Sequence, residues 1–506
     1  MIFATMNKRI AVIGAGIGGL SAAINLASIG YRVSIFEKLN RPGGKMGELR
    51  DGGFRWDIGP SVITMRDVFE TLFAQAGRRL EDYVDLAPLD PITRYFWRDG
   101  LVLDAVADEV KMCKTIAQFS PIDADGYSKY LRHISRLYET IKQPFLYRKK
   151  PTARDLLSLP IHDSLRIDAF RTMHQANTKH FHDPRLVQLF DRFATYNGSS
   201  PYRAPATLNV IAHVEMSGAW YPRGGVFELA KAFEKLAVEL GVVIFYNANV
   251  EEIIVKNDAA KGVRFADGST SDADAVICNV DVTFARSHLL AAPRVSRPTF
   301  FSSRLEPSCS GFVLLLGVNG EHDKLAHHNI LFSDDYAREF DDIFVRRHPP
   351  NDPTLYVCIT SKTDADHAPK NCENWFVMSN APYLSEAFDW TKQTRGYACR
   401  IKQILAERAG LDESQIVYEK MITPLDLQNM YNGNRGAIYG WSSNSRMSAF
   451  MRPNNRDDKI KRLYFASGSA HPGGGVPLVT LSGMAAASCL IEDDASSVRP
   501  KGLQNF

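Results

Sequence analysis

The N-terminus reads as strand, glycine turn, helix, strand and acid, in that order. Ile10-Ala11-Val12-Ile13 is an apolar strand, and Gly14-Ala15-Gly16-Ile17-Gly18-Gly19 follows it. Leu20 to Ile29 has helical character, Tyr31 to Phe36 is a second apolar strand, and Glu37 stands eighteen positions beyond Gly19. Gly14 permits the tight turn, Gly16 lets the backbone approach a pyrophosphate, and Gly19 lets helix and strand pack closely. The helix N-terminus then faces the phosphates, and Glu37 is placed to accept hydrogen bonds from a ribose diol. A lone G-x-G-x-x-G is a weak signal, but one set between these elements predicts a dinucleotide-binding fold.

The residues after Glu37 favour a flavin over a nicotinamide. Arg41-Pro42-Gly43-Gly44-Lys45 comes at once, and Asp57-Ile58-Gly59-Pro60-Ser61 soon after. A nicotinamide must leave its site, whereas a flavin is kept and can be enclosed by further backbone turns. The other end of the chain repeats the pattern. Leu463 to Ala466 reads as a buried strand, Ser467 to Pro477 as a glycine-rich loop, and Leu478 to Leu490 as a small-residue helix. A second helix N-terminus aimed at the cofactor would stabilise a reduced, anionic flavin ring.

Composition excludes several classes. The 506 residues are 45% hydrophobic and 23% charged, an ordinary globular balance that suits two or three domains. A net charge of +3 is too mild to imply nucleic acid. The seven cysteines have no paired spacing, which suggests a reducing, cytoplasmic setting with no disulfide framework and no metal site. His327-His328 reads as a pair of loop histidines without a further ligand nearby. Ile10 to Ala27 is explained by the glycine turn better than by a signal segment, and Gly311 to Val318 is too short to span a bilayer. Residues 1–6 read as a loose extension and Ile491 onward as a polar, frayed tail, with 496–506 flexible.

Because the cofactor halves lie at opposite ends, the nucleotide domain is expected to be discontinuous: 1–90, 225–284 and 436–495. Its central piece contains a helix over Phe227 to Leu240, a strand over Val242 to Tyr246, a hairpin of Val250 to Lys256 and Gly262 to Ala266 followed by a turn at Asp267-Gly268, and a buried strand over Ala275 to Asn279. Residues 91–224, mainly helical and aromatic, and 285–435, mixed, form the substrate domain. The fold class is therefore α/β: a discontinuous Rossmann-type domain with an inserted α+β substrate domain. Tyr127, Tyr130, Leu131, Ile134, Leu137, Tyr138 and Ile141 follow helical spacing with basic residues between them, and Arg148, Lys149 and Lys150 come next. This face suits either the protein core or a membrane surface, with basic side chains at lipid phosphates.

Several blocks resemble the bacterial-type phytoene desaturases, FAD-dependent carotenoid oxidoreductases. They are Val12 to Pro60, Gly218-Ala219-Trp220-Tyr221-Pro222-Arg223-Gly224-Gly225, Asn279-Val280-Asp281, Met421 to Asp426, and His471-Pro472-Gly473-Gly474-Gly475-Val476-Pro477. Asn329 to Tyr336 and Cys372 to Val377 look closer to the hydroxycarotenoid 3,4-desaturase and thirty-carbon carotenoid desaturase branch. The resemblance implies FAD, a glutathione-reductase-like fold and an apolar tunnel to the flavin. It carries cofactor contacts onto Gly14, Gly16, Gly18, Gly19, Glu37, Gly44, Lys45, Pro60, Ser61, Val250, Gly468, Ser469 and Pro477. Many relatives have an Asp in the last strand–loop; here Ala466-Ser467-Gly468-Ser469 leaves that contact to backbone or serine.

The expected reaction removes two hydrogens from adjacent carbons of an acyclic carotenoid at a membrane surface, with quinone or oxygen as electron acceptor. Glu215, and after it Asp341, are the expected polar groups beside the reacting bond; His471 is read as shaping its turn. Alternatives on the same scaffold are carotene cis–trans isomerisation, terminal-methyl oxidation and dehydroxylation of a squalene precursor. A prenyl-binding escort protein without flavin chemistry is the non-enzymatic alternative. The intact glycines and Glu37 oppose it.

Overall fold

The computed structural model describes residues 8–147, 167–291, 305–445 and 452–498. Five short apolar strands form a parallel sheet in the order Leu463–Phe465, Ala275–Cys278, Arg9–Ile13, Arg32–Phe36 and Val243–Phe245. The sheet thus draws on the start, the middle and the end of the chain. Its central strands are nearly free of polar residues because both faces are covered, the usual condition of parallel strands.

One face is covered by the helices Ile17–Ala27, Phe227–Glu239 and Val476–Val498. The first and last pack backbone to backbone. A Cβ on Gly483 would lie 2.3 Å from the Gly18 carbonyl oxygen, and Ser21 Oγ donates to the Thr480 carbonyl at 2.8 Å. Val476–Ser496 is long and apolar enough to cross a membrane, yet 56% of its most apolar window is buried, as expected of a core helix. The sheet's other face packs on an antiparallel trio, Val250–Lys256, Ala259–Phe265 and Thr270–Asp272.

The C-terminal segment differs from the expectation of a frayed tail. The last helix continues to Val498 because its acids are anchored on the sheet. Asp494 is buried, accepts from Tyr31 Oη at 2.8 Å and pairs with Lys8 at 2.7 Å; Asp493 pairs with Arg456 at 2.8 Å.

A second, seven-stranded sheet runs in the order Ile416–Ile422, Ser310–Asn319, Cys372–Ala381, Leu355–Ile359, His328–Leu331, Thr93–Phe96 and Val102–Ala105. The helix Trp390–Ala409 packs among its buried apolar residues, and a helical layer including Pro121–Ile141 and Pro184–Asp191 adjoins the strand Thr93–Phe96. Tyr127, Tyr130, Ile134, Leu137, Tyr138 and Ile141 all face inward and are buried. That apolar stripe is core, because tertiary partners cover it, and it is not available to a lipid surface. Arg148, Lys149 and Lys150, like residues 1–6, lie outside the described residues.

Candidate active site

Two sequence blocks build the first wall. Arg55 is almost fully buried, pairs with Asp57 at 2.7 Å and Glu48 at 3.0 Å, and sits under Gly225, where a Cβ would lie 1.8 Å from its guanidinium. Asp57 Oδ1 also accepts the Val226 N–H at 3.0 Å, and Ile63 and Trp220 exchange backbone hydrogen bonds. The Trp-Tyr-Pro-Arg-Gly-Gly block is thereby clamped to the segment that carries Pro60 and Ser61.

That segment lines a cavity of about 460 Å³ which runs along the C-terminal ends of the parallel strands. Gly14 adopts φ +96°, a left-handed conformation that a side chain would strain, and turns the chain out of the first strand. Gly16 leaves room at the cavity wall that a Cβ would close against Asn279 Nδ2 at 2.4 Å. The Gly43 N–H donates to the Ala15 carbonyl at 2.9 Å, so the Arg41–Lys45 turn folds over the first glycine turn. This is the enclosure expected of a retained flavin. Glu37 is buried at the cavity edge; Oε2 accepts the Ala15 N–H at 2.7 Å and Oε1 the Leu39 N–H at 2.8 Å. Each carboxylate oxygen keeps a lone pair for a further donor.

Gly14, Gly16, Glu37, Gly44, Lys45, Pro60, Ser61, Val250, Gly468, Ser469 and Pro477 all line this cavity. Gly18 and Gly19 do not. Cβ atoms there would lie 2.0 Å from the Ala466 oxygen and 2.2 Å from the Gly14 oxygen, so both serve helix–strand packing. Burial lowers the Lys45 pKa against the opposing pull of Asp281, and raises that of Asp281. In the last loop Ser467 Oγ and Ser469 Oγ lie 2.9 Å apart, and Ser469 Oγ accepts the Val282 N–H at 2.8 Å. Gly474, Gly475 and Val476 bring the start of the last helix to the same cavity.

The two carboxylates expected beside the reacting bond fare differently. Glu215 is buried but does not line the cavity; its oxygens are taken by Tyr196 Oη and by Arg192, the latter at 3.3 Å. Arg192 and Tyr196 do line it. Asp341 is exposed at the end of the short helix Tyr336–Asp341 and touches neither cavity. The buried acid of that helix is Glu339, on the same face as Tyr336, Phe340 and Ile343. It accepts from Ser333 Oγ and Thr354 Oγ1, each at 2.7 Å, and burial pushes it up to about 7. The helical spacing of Tyr336, Glu339, Phe340 and Ile343 was the available signal. The roles of Arg192, Tyr196 and Asn279 had no comparable mark.

The loop reading holds for His327, which lies in a bend, but not for His328. Both are buried, His328 opens a strand, and Cys358 stands directly across the register from it. His471 is buried as well, and its backbone is held between Pro453 and Asn455, in keeping with a turn-shaping role.

A smaller cavity of about 230 Å³ adjoins the first, and Tyr196, Gly474, Gly475 and Pro477 border both. Its walls include Ile141, Leu208, Val210, Ile211 and Val214.

Residues 17–371 match the family described as flavin containing amine oxidoreductase. The chain belongs to that family. A glycine turn, a buried acid with free lone pairs and a second helix start around one cavity fit FAD, and this family member is an FAD-dependent oxidoreductase. It is 37% identical over 494 residues to a 4,4'-diapolycopene oxygenase of Methylomonas sp., covering 96% of this chain and 99% of that protein. It is 35% identical over 503 residues to a 1-hydroxycarotenoid 3,4-desaturase of Flavobacterium sp. (strain P99-3), covering 96% and 100%. Among solved structures it resembles an oxidoreductase from Methanosarcina mazei, with a TM-score of 0.62 at 17% identity, covering 96% and 100% of the two chains. That likeness concerns the fold.

Proposed function

We propose that this flavoenzyme oxidises an acyclic carotenoid, introducing double bonds beside the conjugated chain. The observation that carries the reading is the apolar cavity walled by Leu208, Val210, Ile211 and Val214, which shares Tyr196 and Gly474 with the cofactor cavity. A long, lipophilic polyene suits such a cavity. Bound FAD supplies a hydride acceptor. The protein holds a carbon pair in place, excludes water and receives a proton. Glu215 acts through Arg192 and Tyr196, fixing the wall they share; it is a positioning residue. The similarity to a named hydroxycarotenoid desaturase supports the reading.

A second outcome on the same scaffold, oxidation of a terminal methyl, is favoured by the similarity to a named diapolycopene oxygenase. Product mass separates the two. Purified, FAD-loaded protein given acyclic thirty- and forty-carbon precursors in liposomes should yield red-shifted products, each lighter by two hydrogens. Gain of oxygen in the product mass would establish methyl oxidation instead, and no product from any precursor would remove both. Anaerobic turnover with added quinone distinguishes quinone from oxygen as acceptor.

The substrate reaches the enzyme from a membrane surface in this proposal. Phe170 is 73% exposed and directly follows Ala169, which lines the smaller cavity. An exposed aromatic one residue from the wall of an apolar cavity suits a bilayer interface. Phe170→Glu should reduce co-sedimentation with liposomes while leaving FAD content unchanged; equal pelleting would remove this contact.

A further inference from the structure

We propose that Tyr356 and His328 form the relay that takes the proton lost from the polyene out of the cavity. The inference rests on the desaturation reading above. Tyr356 lines the cofactor cavity beside Ser61, whose Oγ lies 2.5 Å from its phenolic oxygen. On its other side the phenol is 2.7 Å from Nδ1 of His328. His328 is completely buried, and its Nε2 has no hydrogen-bond partner among the described residues. A buried nitrogen left without a partner is costly, so it calls for an explanation.

The path continues inward from the cavity and then outward. The rings of His328 and His327 are 4.3 Å apart, and one nitrogen of each, with Cys358 Sγ, falls within a 4.8 Å span, a distance one bridging water can cover. His327 Nδ1 is 2.5 Å from Thr363 Oγ1, and Thr363 is half-buried in a segment where Asp366 is exposed. Cavity and exterior are thereby joined through side chains that are neutral at rest: burial lowers His328 well below the usual imidazole range and His327 to about 3.

The balance is as follows. One carbon gives up hydride, with its electron pair, reversibly to bound FAD, so that net flavin reduction awaits loss of a proton from the resulting allylic cation. The neighbouring C–H bond breaks, and its electron pair becomes the new double bond. Its proton goes to the Tyr356 oxygen while the Tyr356 hydroxyl proton passes to Nδ1 of His328; the Nε2 proton then leaves towards His327. A carbon acid next to a carbocation is strong, so a weakly basic imidazole suffices and releases the proton readily.

The test is single-turnover flavin reduction in the full-length, FAD-loaded protein with a liposome-borne polyene that the wild type converts. Tyr356→Phe and His328→Gln should each slow reduction by about 100-fold with FAD content and melting temperature retained. The double variant should be no slower than the slower single one, because the two act as a unit. Reduction should be slower in deuterated water for the wild type, and this isotope effect should vanish in Tyr356→Phe. Tyr356→Phe reducing its flavin at the wild-type rate, or an isotope effect that persists in it, would overturn the relay. If the variants do not fold, the wild type decides alone: no solvent isotope effect means no relay. Stoichiometric zinc or copper retained by the purified protein and lost in Cys358→Ala would assign these nitrogens to a metal and also overturn it. Failure of every polyene to reduce the wild-type flavin would instead remove the desaturation reading, and the relay with it.

Discussion

Glu37 Oε2 accepts the backbone N–H of Ala15 at 2.7 Å, so the acid closing the second strand is pinned beneath the turn that opens the first helix. The contact fixes a carboxylate at the cavity edge before any cofactor arrives. Glu37→Ala should weaken FAD binding by about 100-fold, the loss of two charge-assisted hydrogen bonds to a diol. Glu37→Gln, which keeps one acceptor, should lose less. Isothermal titration of apoprotein with FAD checks both.

The fingerprint glycines should separate into two classes. An alanine methyl at Gly18 would meet the Ala466 backbone oxygen at 2.0 Å, an obstacle that cannot swing away. At Gly16 it would meet the Asn279 side chain at 2.4 Å, which can. Gly18→Ala should lower apoprotein stability by roughly 1–3 kcal/mol or more. Gly16→Ala should melt near the wild type and fail chiefly in FAD retention. Thermal melts of apo and FAD-loaded protein distinguish the two.

Glu339 sets a pH dependence. Burial raises it from 4.5 to about 7, so between those values the folded protein holds more protons than the unfolded chain. Stability therefore falls as pH rises through that window, with the full penalty above pH 7 and none below about 4.5. Glu339→Gln should flatten the profile and raise stability at pH 8, by an amount on the order of 3 kcal/mol at most. Denaturant melts at pH 5 and pH 8 test this. An unchanged slope would remove the assignment.

Removing Glu215 leaves Arg192 buried without its carboxylate. Glu215→Ala should cost about 3 kcal/mol and reduce turnover through a disordered cavity wall. Glu215→Gln should recover most of the stability. Equal melting of Glu215→Ala and wild type would show that the hydroxyls of Tyr95 and Tyr196, which accept from Arg192 at 3.0 and 3.3 Å, alone support it.

Val214→Trp should obstruct the apolar cavity. FAD loading and spectrum should stay as in the wild type, while turnover of long polyenes falls by at least about 10-fold and shorter analogues suffer less. Comparing kcat/KM across chain lengths measures this.

What the sequence made legible was what local chemistry dictates. The glycine turn, Glu37, the enclosing Gly43-Gly44 turn and the Ser467–Pro477 loop each declare themselves by spacing or by a required conformation. The strand Val250–Lys256 was readable from its alternation. Arg192 and Tyr196 were not, because they sit in an aromatic-rich helical stretch where nothing local says which side chain meets a cavity. The stripe from Tyr127 to Ile141 was ambiguous for a related reason: an amphipathic face has the same pattern whether protein or lipid covers it. Charge alone does not separate Asp341 from Glu339; the apolar neighbours Tyr336, Phe340 and Ile343 mark Glu339 as the buried one.

The parallel sheet has a consequence for synthesis. Its edge strand Leu463–Phe465 pairs with Ala275–Cys278, and the helix starting at Val476 borders the cofactor cavity. While the chain is emerging from the ribosome, the N-terminal fingerprint therefore waits for more than four hundred further residues before its binding pocket closes. Such distant pairing slows folding and leaves apolar strands transiently open to aggregation. Cofactor capture in this protein is accordingly a late event of maturation, and cells starved of flavin should accumulate completed but insoluble chains.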